Sequence, residues 1–232
     1  MSPKSAHFYD TLYAAKDYGG AATFLHDIIE AHRPGSVTLL DVACGTGRHL
    51  EHFQRWYQVE GVDINSTLLK LAAGRCPGML LHHQDMLCLD LERRFDVVTC
   101  LFSAIAYLVT AENLTRAISR MATHLQPRGL LLIEPFYTSD QYWKDRLTVN
   151  YSVSETHKIA WMYVTAQQDS IAIVDIHYLV GEGQKIEYFT EREELGLYSC
   201  EDFADAFQKA GLVWTFHKNG PFGRGLYIAH RE

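Results

Sequence analysis

A chain of 232 residues with 47% hydrophobic and 21% charged side chains can bury one sizeable core without disulfides, and five scattered cysteines lacking a CxxC pair argue against a disulfide framework or a zinc site. A net charge of −7 without any lysine- or arginine-rich cluster disfavours a nucleic-acid partner. No apolar run reaches the ~18 residues that span a bilayer, and the start MSPKSAHFYD lacks a signal-peptide pattern, so a cytoplasmic protein with reduced thiols, no membrane partner and no metal is expected.

In chain order, residues 1–35 read as an N-terminal helical segment. Five short, nearly all-apolar runs then read as strands: VTLLDV, QVEGVD, GMLLHH, FDVVTCLF and GLLLIE, with helices expected near 48–55, 65–75 and 111–125. Pro127 and Gly129 are expected to end the last helix, which includes Met121 and Leu125. Such strands are covered on both faces, and their alternation with helices over 36–135 predicts an α/β fold with a doubly wound, Rossmann-like, mostly parallel sheet.

After Pro135 the period changes to two, in Ile159, Trp161, Tyr163 and then Ile171, Ile173, Asp175, His177, which predicts an antiparallel β-meander inserted at 136–198 after the fifth strand. GEGQ at 181–184 suits a hairpin turn, and KIEYFTEREELGLYS supplies another strand. Ser199 is a cap for the helix CEDFADAFQKAG, stopped by Gly211, and LVWTFH and GLYIAH close the domain over 199–232. The whole of 1–232 is read as a single domain with the insertion inside it.

The first strand ends in Asp41 and runs through Cys44-Gly45-Thr46-Gly47 into a helix, which puts this turn at the sheet edge where open α/β folds bind ligands. A tight turn without a ligand is the plainer alternative. For a dinucleotide the third glycine of GxGxxG belongs at position 50, where Leu50 stands, and no GK[ST] follows for a P-loop, which weakens a dehydrogenase reading. An amino-acid-like group and a ribose make the same demand for close backbone approach. Asp63, ending the second strand, can accept from two adjacent ribose hydroxyls, and Asp85 can accept from an adenine amino group while Met86 packs on the ring.

LLDVACGTGRHL, VEGVDIN, HHQDM, FDVVTCLFSAIAYL and LQPRGLLLIEP, in this order, resemble the class I S-adenosylmethionine (SAM)-dependent methyltransferases over about residues 36–135. The resemblance implies SAM as cofactor, released as S-adenosylhomocysteine, with Tyr18, Asp41, Ala43, Gly45, Gly47, Asp63, Ile64, Asp85, Met86 and Leu101 around it. Gly45 and Gly47 would give room to its methionine part. FYDTLYAAKDY, CGTGRHLEHF, LFSAIAYL and GPFGRGLYIA further resemble the amino-sugar N,N-dimethyltransferases that act on nucleotide-linked sugars in antibiotic pathways. That implies a lid in residues 1–35 carrying Tyr13 and Tyr18, and Tyr13 and Tyr107 as catalytic residues at the accepting amine. It also implies Arg224, between Gly223 and Gly225, as a substrate-phosphate contact, and a homodimer through the antiparallel insertion.

A methyl on a sulfonium is already activated, so the protein has to align a neutral nucleophile with it and exclude water. An amine needs no general base for its attack, and Tyr107 would orient it; a hydroxyl acceptor would need a base, for which no candidate stands out, the strand histidines His157 and His177 reading as structural or solvated. Methylation of another small acceptor (small amine, indole or phenol) and a non-catalytic SAM-binding subunit are the alternatives.

Overall fold

The computed structural model describes residues 3–231. Helices α1 (Pro3–His7), α2 (Tyr9–Leu12) and α3 (Tyr18–His32) lead into β1 (Thr38–Val42), α4 (Arg48–Phe53), β2 (Gln58–Asp63), α5 (Ser66–Arg75), β3 (Leu80–His83) and β4 (Phe95–Cys100). There follow α6 (Ala111–Thr123), β5 (Leu125–Ile133), β6 (Leu147–Val153), β7 (His157–Gln168), β8 (Ile171–Glu182), β9 (Lys185–Gly196), α7 (Cys200–Lys209), β10 (Leu212–His217) and β11 (Leu226–Arg231). Among the described residues no helix is long and apolar enough to cross a membrane.

The five apolar runs form the parallel part of a seven-stranded sheet ordered β10-β11-β5-β4-β1-β2-β3, which β11 and β10 complete in antiparallel pairing. Leu39 and Leu40, adjacent in β1, are both fully buried because the sheet is covered on each side. Leu40, Val98 and Ile133 meet Ile118 and Met121 of α6 and Phe203 and Phe207 of α7, while Leu39, Val97 and Leu132 meet Leu25 and Ile29 of α3 and Phe53 of α4. Ser199 caps α7 in a reciprocal box with Asp202, and Gly211 takes φ +69° just beyond it.

One expectation is corrected here. Helix α6 stops at Thr123 and Leu125 already belongs to β5; Pro127 and Gly129 lie in an irregular stretch of that strand, where Phe95 pairs with Leu125 but Val97 with Leu130. A bulge accommodates a proline that cannot donate to the ladder. Between β3 and β4 the regular alternation lapses, with only the 3-10 turn Met86–Cys88 in place of a full helix.

The meander is a separate antiparallel sheet, β6-β7-β8-β9. Gly183, at φ +58°, makes the two-residue β8–β9 turn expected from GEGQ. On its inner face Ile159, Ile176, Tyr178 and Phe189 pack with Phe8 and Leu12 of the N-terminal segment. Its outer face mixes exposed apolar side chains with charges: Leu147, Val149, Tyr151 and Val153 on β6 are each at least 65% exposed, beside Met162, Val164, Leu179, Ile186 and Tyr188, and Arg192 pairs there with Asp175 and Glu194.

Candidate active site

The turn after β1 holds Ala43, Gly45 and Gly47 at φ +61°, +57° and +77°. The two glycines serve different ends. A Cβ on Gly47 would lie 3.2 Å from the Cβ of Ala72, so this glycine lets α5 close on the turn, a packing reason beside its expected role at the cofactor. A Cβ on Gly45 would meet nothing within 4 Å. Leu50 reaches into the space left by Gly61 on β2, where a Cβ would sit 2.9 Å from its Cδ1, and so a leucine replaces the third glycine of a dinucleotide turn.

The Gly45 N–H donates to Asp63 Oδ2 and the Asn65 N–H to Asp63 Oδ1, both at 2.8 Å. Burial pushes the Asp63 carboxyl above its usual range, and these two N–H groups pull it back. Each oxygen keeps a lone pair for a ligand hydroxyl. Ile64, 64% exposed, follows directly, and Asp85 caps the next turn by accepting from the Leu87 N–H at 2.9 Å, with Met86 half-buried beside it. Gly45, Asp63, Asp85 and Met86 thus line the carboxyl edge of β1, β2 and β3. Two of the expected cofactor residues lie deeper. Asp41 is buried under the turn, accepts from Thr99 Oγ1 at 2.7 Å and is pushed up by burial to about 7; Leu101 is buried among the α3 and α4 contacts.

At the same edge, Phe102 and Ser103 are consecutive non-glycine residues at φ +54° and +60°. Two bonds hold this strained pair: Phe102 N–H to Glu134 Oε2 at 2.7 Å, and Ser103 Oγ to the Pro135 carbonyl at 2.6 Å. The Phe102 ring is thereby turned toward Tyr13 at 5.2 Å, Tyr18 at 6.0 Å and Phe222 at 5.1 Å, with the Arg224 guanidinium 5.3 Å from its centroid.

Arg224, expected as a substrate contact, donates from Nη2 to Glu134 Oε1 at 3.1 Å, and Glu134 is fully buried. Its flanking glycine has a local reason too, since a Cβ on Gly225, at φ +85°, would fall 2.2 Å from the Phe216 ring. Arg224 Nε and His49 Nε2 are buried without a hydrogen-bond partner among the described residues. His49, edge-on to Tyr18 at 5.0 Å, is held neutral because burial drives it down to about 3.

The N-terminal segment is tied down on two sides. Asp10 accepts from Thr46 Oγ1 at 2.7 Å and from Arg75 Nη2 at 2.6 Å, with Arg48 Nε 3.4 Å away; Ser152 Oγ of β6 donates to the Thr11 carbonyl at 2.7 Å. Tyr9 and Tyr13 are thus held near Tyr18 and Tyr107; burial, then the neighbouring phenols, raise the Tyr9 hydroxyl well above its usual value. Tyr107, 45% exposed on the 3-10 turn Ala104–Leu108, donates to Glu193 Oε1 at 3.1 Å. The strand histidines lie elsewhere: His157 packs on Phe8 and pairs with Glu182, and His177 bonds Tyr188 on the outer face of the meander.

Sequence reasoning missed Asp10, His49, Phe102, Glu134 and Glu193. Phe102 lay inside a quoted motif, but a left-handed backbone at a phenylalanine leaves no mark in composition or period. The donor set fits SAM. Gly45 opens onto the carboxyl edge, Asp63 offers acceptors for hydroxyls, and Ile64 and Met86 offer apolar surface for an adenine.

Comparison with known proteins agrees with this geometry. A methyltransferase domain family matches residues 39–129. The chain is 34% identical to dTDP-3-amino-3,6-dideoxy-α-D-glucopyranose N,N-dimethyltransferase of Streptomyces fradiae, over 97% of this chain and 90% of the relative. It is 32% identical to dTDP-4-amino-2,3,4,6-tetradeoxy-D-glucose N,N-dimethyltransferase of Saccharopolyspora spinosa, over 100% of this chain and 94% of the relative. The structure of SAM-bound CalS10, an amino pentose methyltransferase of Micromonospora echinaspora, superposes with a TM-score of 0.88 at 33% identity, covering 97% of this chain and 96% of the other. The crystal structure of Streptomyces venezuelae DesVI gives 0.92 at 28% identity, covering 100% and 99%. With this identity sustained over nearly the full length, and SAM-type geometry at the carboxyl edge of its sheet, the chain belongs to the amino-sugar N,N-dimethyltransferase family of SAM-dependent methyltransferases.

Proposed function

We propose that this SAM-dependent methyltransferase transfers two methyl groups to the amine of a dTDP-linked deoxyamino sugar. The observation that carries the reading is the position of Tyr13 and Tyr107 between the SAM-type edge and the inner face of the meander, in a chain similar along its length to enzymes named for such acceptors. SAM supplies a methyl group activated for displacement. Asp63 accepts from its ribose hydroxyls, Asp85 from its adenine, and the aromatic group of Tyr9, Tyr13, Phe102 and Phe222 excludes water around the reacting atoms. Tyr107 orients the amine. Incubation with methyl-labelled SAM and dTDP-3-amino-3,6-dideoxyglucose, the 4-amino tetradeoxy sugar, a phenol and an indole is expected to give products one and two methyl groups heavier from an amino sugar alone. Turnover of only the phenol or indole would replace this acceptor class.

The acceptor wall also carries the proposed dimer contact. The occupant of the outer face of the meander is a second copy of this chain, since nine large, mostly apolar side chains (Leu147, Val149, Tyr151, Val153, Met162, Val164, Leu179, Ile186 and Tyr188) stand exposed together on that face instead of singly. Sedimentation at micromolar concentration is expected to give a dimer, and Val149→Glu with Tyr151→Glu a folded monomer. A monomeric parent, or a dimer untouched by these changes, would remove this contact.

A further inference from the structure

Two carboxylates, Glu191 and Glu193, are half-buried on the inner face of β9, between Phe189 and Leu195. A face of this kind is expected to be apolar; across the ladder Glu191 and Glu193 face Ile176 and Val174, and phenols surround them. Glu193 accepts from Tyr107 Oη at 3.1 Å and acts on Tyr13 and Tyr178 as well, while Glu191 acts on Tyr178 and Tyr107. Tyr163 on β7 raises the Tyr13 hydroxyl further through its charge, and Arg224 in the β10–β11 link opposes it.

We propose that Tyr107 and Glu193 form the proton exit of the acceptor site, clearing the nitrogen between the first and second methyl transfers. The inference rests on the dimethylated amino-sugar reading above. In the first transfer the amine lone pair forms the nitrogen–carbon bond as the carbon–sulfur bond breaks, with that electron pair going to sulfur, and the nitrogen becomes a secondary ammonium. An ammonium has no lone pair, so the second transfer, from a second SAM that replaces the spent S-adenosylhomocysteine, requires this proton to leave first. The hydroxyl hydrogen of Tyr107 is engaged by Glu193, which leaves the Tyr107 oxygen as an acceptor for an N–H. The ammonium proton passes to the Tyr107 oxygen as the phenol proton passes to the Glu193 carboxylate. Water at the half-exposed rim then takes the proton from Glu193, restoring both groups and the amine lone pair. Other bases have partners of their own: His157 packs on Phe8 and pairs with Glu182, His177 bonds Tyr188, and Glu134 is paired with Arg224.

The test follows mono- and dimethylated product from the dTDP-amino sugar that the wild type turns over. Glu193→Gln and Tyr107→Phe are each expected to slow the second methylation about a hundredfold against a much smaller loss in the first, so that monomethyl product accumulates. The deficit should shrink as pH rises and solvent takes over deprotonation. The double variant should be no worse than either single one, because both act in one relay. As a readout independent of turnover, calorimetry with S-adenosylhomocysteine bound is expected to show near wild-type acceptor affinity in Glu193→Gln. A wild-type product ratio and pH profile in Glu193→Gln, or additive losses in the double variant, would overturn the relay and leave the acceptor reading standing. A wild type inactive on every amino sugar would overturn both.

Discussion

Gly45→Val is expected to abolish measurable SAM binding in calorimetry while the protein still unfolds cooperatively. Two effects act together. Valine is a poor occupant of φ +57°, at a cost of about 1–2 kcal/mol, and any relief of that strain moves the N–H that holds Asp63 at 2.8 Å. The new side chain also projects into the space onto which Gly45 opens, beside the acceptors for the ribose. A dissociation constant at least about 100-fold higher, roughly 3 kcal/mol, is the expected size. Gly47→Val is the contrasting case: its Cβ would press on Ala72, so thermal stability should fall first. Wild-type SAM affinity in Gly45→Val would detach the cofactor from this turn.

Arg224→Ala is expected to destabilise the fold by about 3–5 kcal/mol, because it leaves a buried carboxylate without its cation. The partner, Glu134, is fully buried and also holds the strained Phe102 backbone, so the damage should spread to the aromatic group around Tyr13 and Tyr18. Burial already pushes the Glu134 carboxyl up, with Arg224 opposing. Without Arg224 the folded-state value rises further above the unfolded one, and a raised carboxyl loses stability as pH climbs between the two. The deficit should therefore be largest near neutrality and narrow in mild acid. Urea unfolding measures it, and Glu134→Gln in the Arg224→Ala background is expected to recover part of the loss. An unchanged midpoint with only a weaker apparent affinity for a phosphate-bearing acceptor would make Arg224 a ligand contact alone. Its unpartnered Nε allows that contact in addition to the ion pair.

These two sites were unequally legible. The turn after β1 follows from local signals: a strand apolar on both faces, then glycines. The division of labour between Gly45 and Gly47 needed the position of Ala72 on a later helix. The Glu134–Arg224 pair joins residues 90 positions apart, a contact that periodicity cannot supply. Strand β6 was hidden for a different reason. Leu147, Val149, Tyr151 and Val153 alternate properly, but their apolar face points outward, so the usual equation of apolar with buried misleads there. Leu125 went to the wrong element because Pro127 and Gly129 sit in a strand irregularity, where their breaking character ends no helix.

The four meander strands share no hydrogen-bonded ladder with the sheet that carries Gly45 and Asp63. On the acceptor reading proposed above, alternate side chains of one layer answer to separate demands: those at Trp161, Tyr178 and Glu193 to the sugar, those at Val149 and Tyr151 to the outer surface. Drift in the first set leaves the methyl-donor machinery intact. A lineage can acquire a new sugar by a handful of inward-facing replacements in this cassette, without re-evolving the donor site or the ladder that supports it.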